Sequence, residues 1–450
     1  MKAIILRGSI VSVFCFAIAS AVEPNWDAAV AFPAAGEPQV IHLDDGTKLT
    51  LLGATYGYHH IAPGYENLRT ANWIYTAPNT TVVWIKEDRE PGGSPIYELL
   101  VSDRANTGCV NIERRQGSFV KPGVFLQSFV LNAFPRWDKE TILRVRPYRG
   151  TAVKGQFVLT NPVPGTVTNW TPLPLPQTQA ADDLEVTLTK FTTSAPVPYW
   201  QGGKPAPTNE LANQCVRLDF EARQNGQAAT NWNPWPVVTS DGAGNSVEGL
   251  IRPYPPNGIF PRLPTYQHDG YYYQPGLWPD EPAWKVRLEF VQRFNFSDDE
   301  MVTFTNLPVK PGSQQDADDE WNAWDVGKTN FPFAMTPGTV NGVHLKLLPP
   351  LLTPNENSPG QKYVSVIIGA DPDFKPKGMN LTVVAATDDQ GRKLWSFEQP
   401  PWAGHYSINF ANVDGDIKSL NLKLALHKSR FVEFTVKPEK AGDEIGSAHV

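Results

Sequence analysis

Carboxylates and aromatic rings are the side chains of this sequence that could do chemistry, and they crowd one segment. Between Asn231 and Trp284, Asp269, Asp280 and Glu281 lie close to Trp232, Trp235, Tyr271, Tyr272 and Trp278. Two carboxyl groups facing each other across a sugar can serve as acid and base, or acid and nucleophile, in glycoside hydrolysis. That pairing is spatial, so no spacing in a linear sequence declares it, and these three are the carboxylates to test first. Flat rings could instead form a platform that stacks on sugar faces or on proline-rich peptides, with Asn231, Asn233, Gln267 and Asp269 adding polar contacts. The same rings could also fill gaps beneath a lid over their own domain, because large apolar groups need burial. Exposure of Trp232, Trp235 and Trp278 separates the two uses.

The segment is unusual in composition as well as in chemistry. It holds ten aromatic residues and ten prolines, so regular strands can occupy only part of it. So many rings argue against disorder. Trp321 and Trp324 could extend an aromatic surface at the next junction.

Other constellations are weaker. No nucleophile elbow, zinc-binding helix, phosphate loop or dinucleotide glycine pattern is present. His59 and His60 are adjacent, and adjacent strand residues point to opposite faces, so the pair reads as loop polarity and no metal is expected. Acidic clusters at Asp44-Asp45, Asp298 to Glu300, Asp316 to Glu320, Asp388-Asp389 and Asp414 to Asp416 lack the spacing of a calcium loop. Several are turn chemistry. No cofactor is expected, with incidental calcium the one ion left open. Cys109 and Cys215 each share strand parity with polar neighbours, which favours two unpaired thiols, with a bridge between them the alternative.

The elements that must position these groups are strands. The chain has 42 prolines and 35 glycines in 450 residues, only 19% charged residues and 41% hydrophobic ones. That composition excludes helical bundles and wholesale disorder. The net charge of -7 argues against nucleic acid as a partner. Alternation with period two recurs throughout. It places Trp284, Val286, Leu288 and Phe290 on one face, with Lys285, Arg287 and Glu289 on the other. It likewise separates Leu420, Leu422, Leu424 and Leu426 from Asn421, Lys423 and His427, and Val216, Leu218, Phe220 and Ala222 from Arg217, Asp219 and Glu221.

The expected fold class is therefore all-β: tandem antiparallel β-sandwich domains, immunoglobulin-like or related, joined by Pro-rich linkers. The first domain spans 37–160 and is followed by a Pro-rich linker over 161–180. The second spans 181–309 with the aromatic and proline-rich insertion 231–284. An acidic linker over 310–329 leads to the third, 330–438, and a tail over 439–450. Each domain closes on two alternating strands and a proline (142–146 with 155–160, 286–290 with 302–307, 420–424 with 432–437), which predicts three terminal hairpins.

Residues 1–21 read as a signal peptide. Lys2 and Arg7 precede the apolar run from Ile10 to Ile18, and Ala19-Ser20-Ala21 offers a small-residue cleavage site. The bulky Phe14 before Cys15 disfavours acylation there. No later segment approaches transmembrane length. The expectation is an exported protein, periplasmic or extracellular and non-catalytic, that binds or scaffolds a polysaccharide or an envelope protein. The alternatives are an extracellular hydrolase acting on glycans and a passive structural array.

Overall fold

The computed structural model describes residues 30–33, 38–65, 73–89, 97–102, 109–111, 113–131, 133–136, 138–147, 153–160, 168–196, 200–201, 204–205, 214–253, 270–273, 276–278, 281–313, 336–354, 362–371, 378–398, 405–413 and 417–439. The expected signal peptide, the 440–450 part of the tail and most of the acidic linker lie outside them. The protein is nearly all β. Among the described residues it contains antiparallel sheets, one two-residue parallel pairing (Lys310–Pro311 with Leu351–Pro354) and one 3-10 turn at Asp298–Glu300. No helix among them is long and apolar enough to cross a membrane.

The chain divides into two compact units, one of residues 1–99, 112–132 and 142–163, the other of 100–111, 133–141 and 164–450. In the first, a six-stranded sheet is built around Lys48–Ile61, Trp73–Asp88 and Val124–Leu131. Ala62, Val82, Trp84, Leu126 and Val130 form its buried cluster. His60 is sealed inside, its Nδ1 2.8 Å from the Thr55 hydroxyl, which also accepts the Trp84 indole N–H at 2.9 Å. Burial pulls this histidine down to about 4, so it stays neutral. Among the described residues no group of three or more His, Cys, Asp or Glu side chains could hold a metal.

The second unit packs two pairs of sheets. In the first pair, a six-stranded sheet contains Leu184–Pro196 and Gln214–Gln224, and a four-stranded sheet runs in the order Ser246–Leu250, Trp232–Asp241, Trp284–Gln292, Arg430–Val436. Phe191 meets Trp284 edge-on at 5.9 Å, and Phe220 meets Phe290 at 5.5 Å. Trp284, Val286, Leu288 and Phe290 are all fully buried, as their alternation predicts. In the second pair, a three-stranded sheet in the order Met301–Pro308, Ser419–Lys428, Met379–Asp388 faces a seven-stranded sheet centred on Lys362–Asp371. Their shared core holds Leu420, Leu422, Leu424 and Leu426 with Val364, Val366, Ile368 and Phe410. Asn341 and Gly342, at φ 50° and 70°, make the two-residue turn between Thr336–Val340 and Val343–Leu347, a conformation that Asn-Gly adopts readily.

Two of the three expected hairpins are not hairpins. The strand Trp284–Gln292 pairs with Arg430–Val436, and Met301–Pro308 pairs with Ser419–Lys428. Consecutive strands therefore enter different sheets and are matched there by strands from the end of the chain. Strand alternation shows which face is buried but not which partner lies alongside, because every such strand offers the same backbone groups. The pairings cross the boundary drawn at 310–329. The expected linker over 161–180 is also partly strand, since Gln177–Ala181 pairs with Leu184–Pro196 through a turn at Asp182, φ 54°.

Two parity assignments fail where both faces of a strand are covered. Cys215 shares phase with polar residues yet is buried, and burial pushes its thiol up to about 12. His427 lies 3.2 Å from the Thr382 hydroxyl and against the Phe296 ring, buried and held down to about 4.

Candidate functional site

The aromatic segment divides at a β-bulge. Along the pairing of Trp232–Asp241 with Trp284–Gln292, Pro234 opposes Phe290 and Val237 opposes Leu288, so Trp235 and Pro236 together face Glu289 alone. An extra residue in one strand re-aims side chains and flips the alternation beyond it. Here Trp235, three residues after the buried Trp232, keeps its outward phase, the bulge holds Pro236 on that face as well, and both line a groove of about 200 Å³ with Val238.

The rest of the groove comes from distant parts of the chain. Glu248 and Arg287 lie opposite Val238 on its two neighbouring strands, so they flank it across the sheet. Glu289 comes from the strand of Arg287, Phe431 from the final strand, and Gly378, Met379 and Asn380 from the start of Met379–Asp388. The site thus sits on the seam where the four-stranded and three-stranded sheets meet. Ser429 alone separates the strand ending at Lys428 from the one starting at Arg430. Its backbone N–H donates to the Gly378 carbonyl at 2.8 Å and its hydroxyl to Glu289 Oε1 at 2.6 Å.

Most of the polar side chains are held in place. Glu289 also accepts from Asn380 Nδ2 at 3.3 Å, and Asn380 Oδ1 accepts from the Tyr406 hydroxyl at 2.7 Å. The Arg287 guanidinium lies over the Phe431 ring at 4.3 Å, and that of Arg293 over the Trp235 ring at 5.2 Å. Gly378, at φ +60°, lets the backbone approach Phe431, since a Cβ there would stand 2.9 Å from the ring.

The other expected platform residues are placed differently. Trp278 is fully buried and Tyr272 nearly so; Trp232 is buried with the Arg430 guanidinium over its ring at 5.2 Å. These three fill the interior, the gap-filling use of the segment, so the five rings do not form one exposed platform. Tyr271 is half-buried, stacked on Phe220 at 4.6 Å, and its hydroxyl is pushed up to about 12 by burial. Only Trp235 of the five lines the groove.

Of the candidate carboxylates, Asp269 and Asp280 lie outside the described residues. Glu281 is 8% exposed and raised to about 10, first by burial and then by its hydrogen bond to, and the charge of, Asp241. Asp241 in turn accepts from the backbone N–H and the side-chain amide of Asn245, at 2.8 and 2.5 Å. Asn245 then donates to the Phe134 carbonyl at 2.9 Å and accepts from Arg136 at 3.0 Å. Neither Glu281 nor Asp241 lines the groove. The acidic clusters at Asp45 and Asp388 cap turns, accepting from the backbone N–H of Thr47 and of Gln390 and Arg392.

Sequence reasoning singled out Trp235 and Glu281 but missed Asp241, Glu248, Arg287, Glu289, Asn380 and Phe431 as site residues. Alternation did mark Arg287 and Glu289 as outward-facing. Phe431 reaches the groove by pairing opposite Glu289, and Asn380 by a hydrogen bond to Glu289 from a strand 91 residues away, neither of which leaves a local signal. No family model matches this sequence, and no curated protein matches it.

Proposed function

We propose that this chain is an exported, non-catalytic binding protein that holds a polysaccharide or an envelope protein through the groove beside Trp235. The observation that carries the proposal is the bulge at Trp235 and Pro236. It sets Pro236 beside the outward-facing Trp235 in a recess whose polar side chains are fixed by their own neighbours. A large apolar ring beside convergent polar groups is the usual composition of a ligand site. Prearranged side chains reduce the ordering cost of binding. The signal-peptide pattern at residues 1–21 supports the export part of the reading.

The competing glycan-hydrolase reading rests on Glu281. A carboxylic acid kept protonated at neutral pH suits a general acid, but this one is sealed and faces Asp241 away from the groove.

Retention of the purified mature protein on immobilised polysaccharides and on an envelope extract tests the proposal. Wild-type protein is expected to be retained, and Trp235→Ala to lose roughly tenfold or more in affinity with an unchanged thermal midpoint. Turnover of a glycan panel, abolished by Glu281→Gln, would move the assignment to the hydrolase. Absence of both retention and turnover would leave the passive array.

A further inference from the structure

Resting on that binding reading, we infer that the groove is a subsite for a single uncharged pyranose ring of a glycan. Size is the first argument. At about 200 Å³ the recess is smaller than the roughly 300–1,000 Å³ of sites that enclose a drug-sized ligand. It takes one ring-sized unit, with the rest of a polymer left outside.

Hydrogen-bonding character is the second. The walls offer donors, Arg287 and Asn380, and acceptors, Glu248 and Glu289. A ligand satisfying both kinds at close spacing must carry groups that donate and accept, and a pyranose ring does so through the hydroxyls on several of its carbons. Arg287 and Glu248 flank Val238 from the two neighbouring strands, so their Cα atoms stand roughly 10 Å apart, two strand spacings. That span brackets one sugar ring. Trp235 supplies the flat face against which the ring's C–H groups pack.

Charge is the third. An acidic sugar meets two carboxylates against one guanidinium, on a chain of net charge -7. A cationic sugar would need a carboxylate to itself. Oε1 of Glu289 already accepts from Ser429 and Asn380, and in the strand register Arg287 stands between Val238 and Glu433, with Glu248 one strand further. An uncharged ring exploits both signs without leaving either unpaired.

The test uses the full mature protein and a panel of methyl pyranosides: gluco, galacto, manno and N-acetylglucosamine forms, with methyl glucuronide and glucosamine as charged counterparts. Binding is read by saturation-transfer NMR and by titration calorimetry. At least one uncharged pyranoside is expected to bind, and to bind roughly tenfold more tightly than its charged counterparts. Trp235→Ala and Arg287→Ala should each abolish that binding, Trp235→Phe should keep part of it, and Trp395→Ala, at an exposed ring elsewhere, should leave it unchanged. Near-ultraviolet circular dichroism confirms the fold of each variant. Preference for glucuronide or glucosamine, or pyranoside binding indifferent to Trp235, overturns the inference. If polysaccharide retention depends on Trp235 yet no single pyranoside binds, the one-ring subsite fails while the binding function stands. Retention of an envelope protein but of no glycan overturns the sugar assignment. Loss of retention altogether removes the function with it.

Discussion

Glu281 and Asp241 present the sharpest question at the scale of single residues, because two carboxyl groups are buried together with a proton between them. The folded protein holds that proton up to about pH 10, whereas an exposed glutamate releases it near 4.5. Between these values folding must take up a proton, so the unfolded chain gains on the folded one as pH rises. The stability present below about pH 4.5 is lost progressively up to about pH 10, at up to about 1.4 kcal/mol per pH unit. At pH 7 the accumulated cost approaches roughly 3 kcal/mol. Glu281→Gln keeps a hydrogen-bond donor for Asp241 and has no proton to lose. It is expected to raise the unfolding free energy markedly at pH 8 and little at pH 5, as urea titrations at the two values will measure. Equal effects at both would mean that Glu281 is ionised in the folded protein. Asp241→Ala should destabilise at both values, by roughly 1–3 kcal/mol, since it leaves the buried Asn245 backbone N–H without its acceptor.

Among the elements, the bulge and the one-residue step at Ser429 set the groove. The bulge sets Pro236 beside the outward-facing Trp235; the step brings Phe431 and Gly378 close to both. Gly378 bears the most exacting constraint, a left-handed φ of +60° and a Cβ direction blocked by Phe431. Gly378→Ala is expected to cost about 1–2 kcal/mol and to weaken ligand retention, because displacing the Phe431 ring also displaces the Arg287 guanidinium resting on it. Calorimetric unfolding and the retention assay together check this. Stability loss with full retention would show that the ring can move without disturbing the groove.

Across the molecule, the crossed strands determine what unfolds together. Trp284–Gln292 and Met301–Pro308 lie on one side of the segment 314–335, and their partners Arg430–Val436 and Ser419–Lys428 lie on the other. Cleavage at a protease site introduced between 314 and 335 is therefore expected to leave two fragments that co-elute on size exclusion, with the strands of the second unit from both fragments lost in one shared urea transition. Two fragments that separate while folded would show that the crossed pairings do not hold the halves together. The extended stretch before Gln177 adds a further tie, with the Leu173 N–H and the Gln177 amide both donating to the Thr435 carbonyl, at 3.0 and 3.1 Å.

The sequence by itself determined the all-β class and the buried faces of strands such as 284–290 and 420–426. Alternation is a local consequence of the pleat, and burial of one face follows from it. It also singled out the neighbourhood of Trp235, because ten rings among ten prolines cannot pass for ordinary strand. Tertiary structure alone decided that Trp278, Tyr272 and Trp232 fill the interior while Trp235 faces outward. Alternation puts Trp232 and Trp235 on opposite faces without saying which of them is buried, and the bulge that sets Pro236 beside Trp235 leaves no signature in residue identity. Tertiary structure likewise supplied Asn380, Phe431 and Asp241, and matched the strands before residue 310 with those after 418. Strand pairing is made by backbone groups that all residues but proline share, so the partner is chosen by the packing of the whole core.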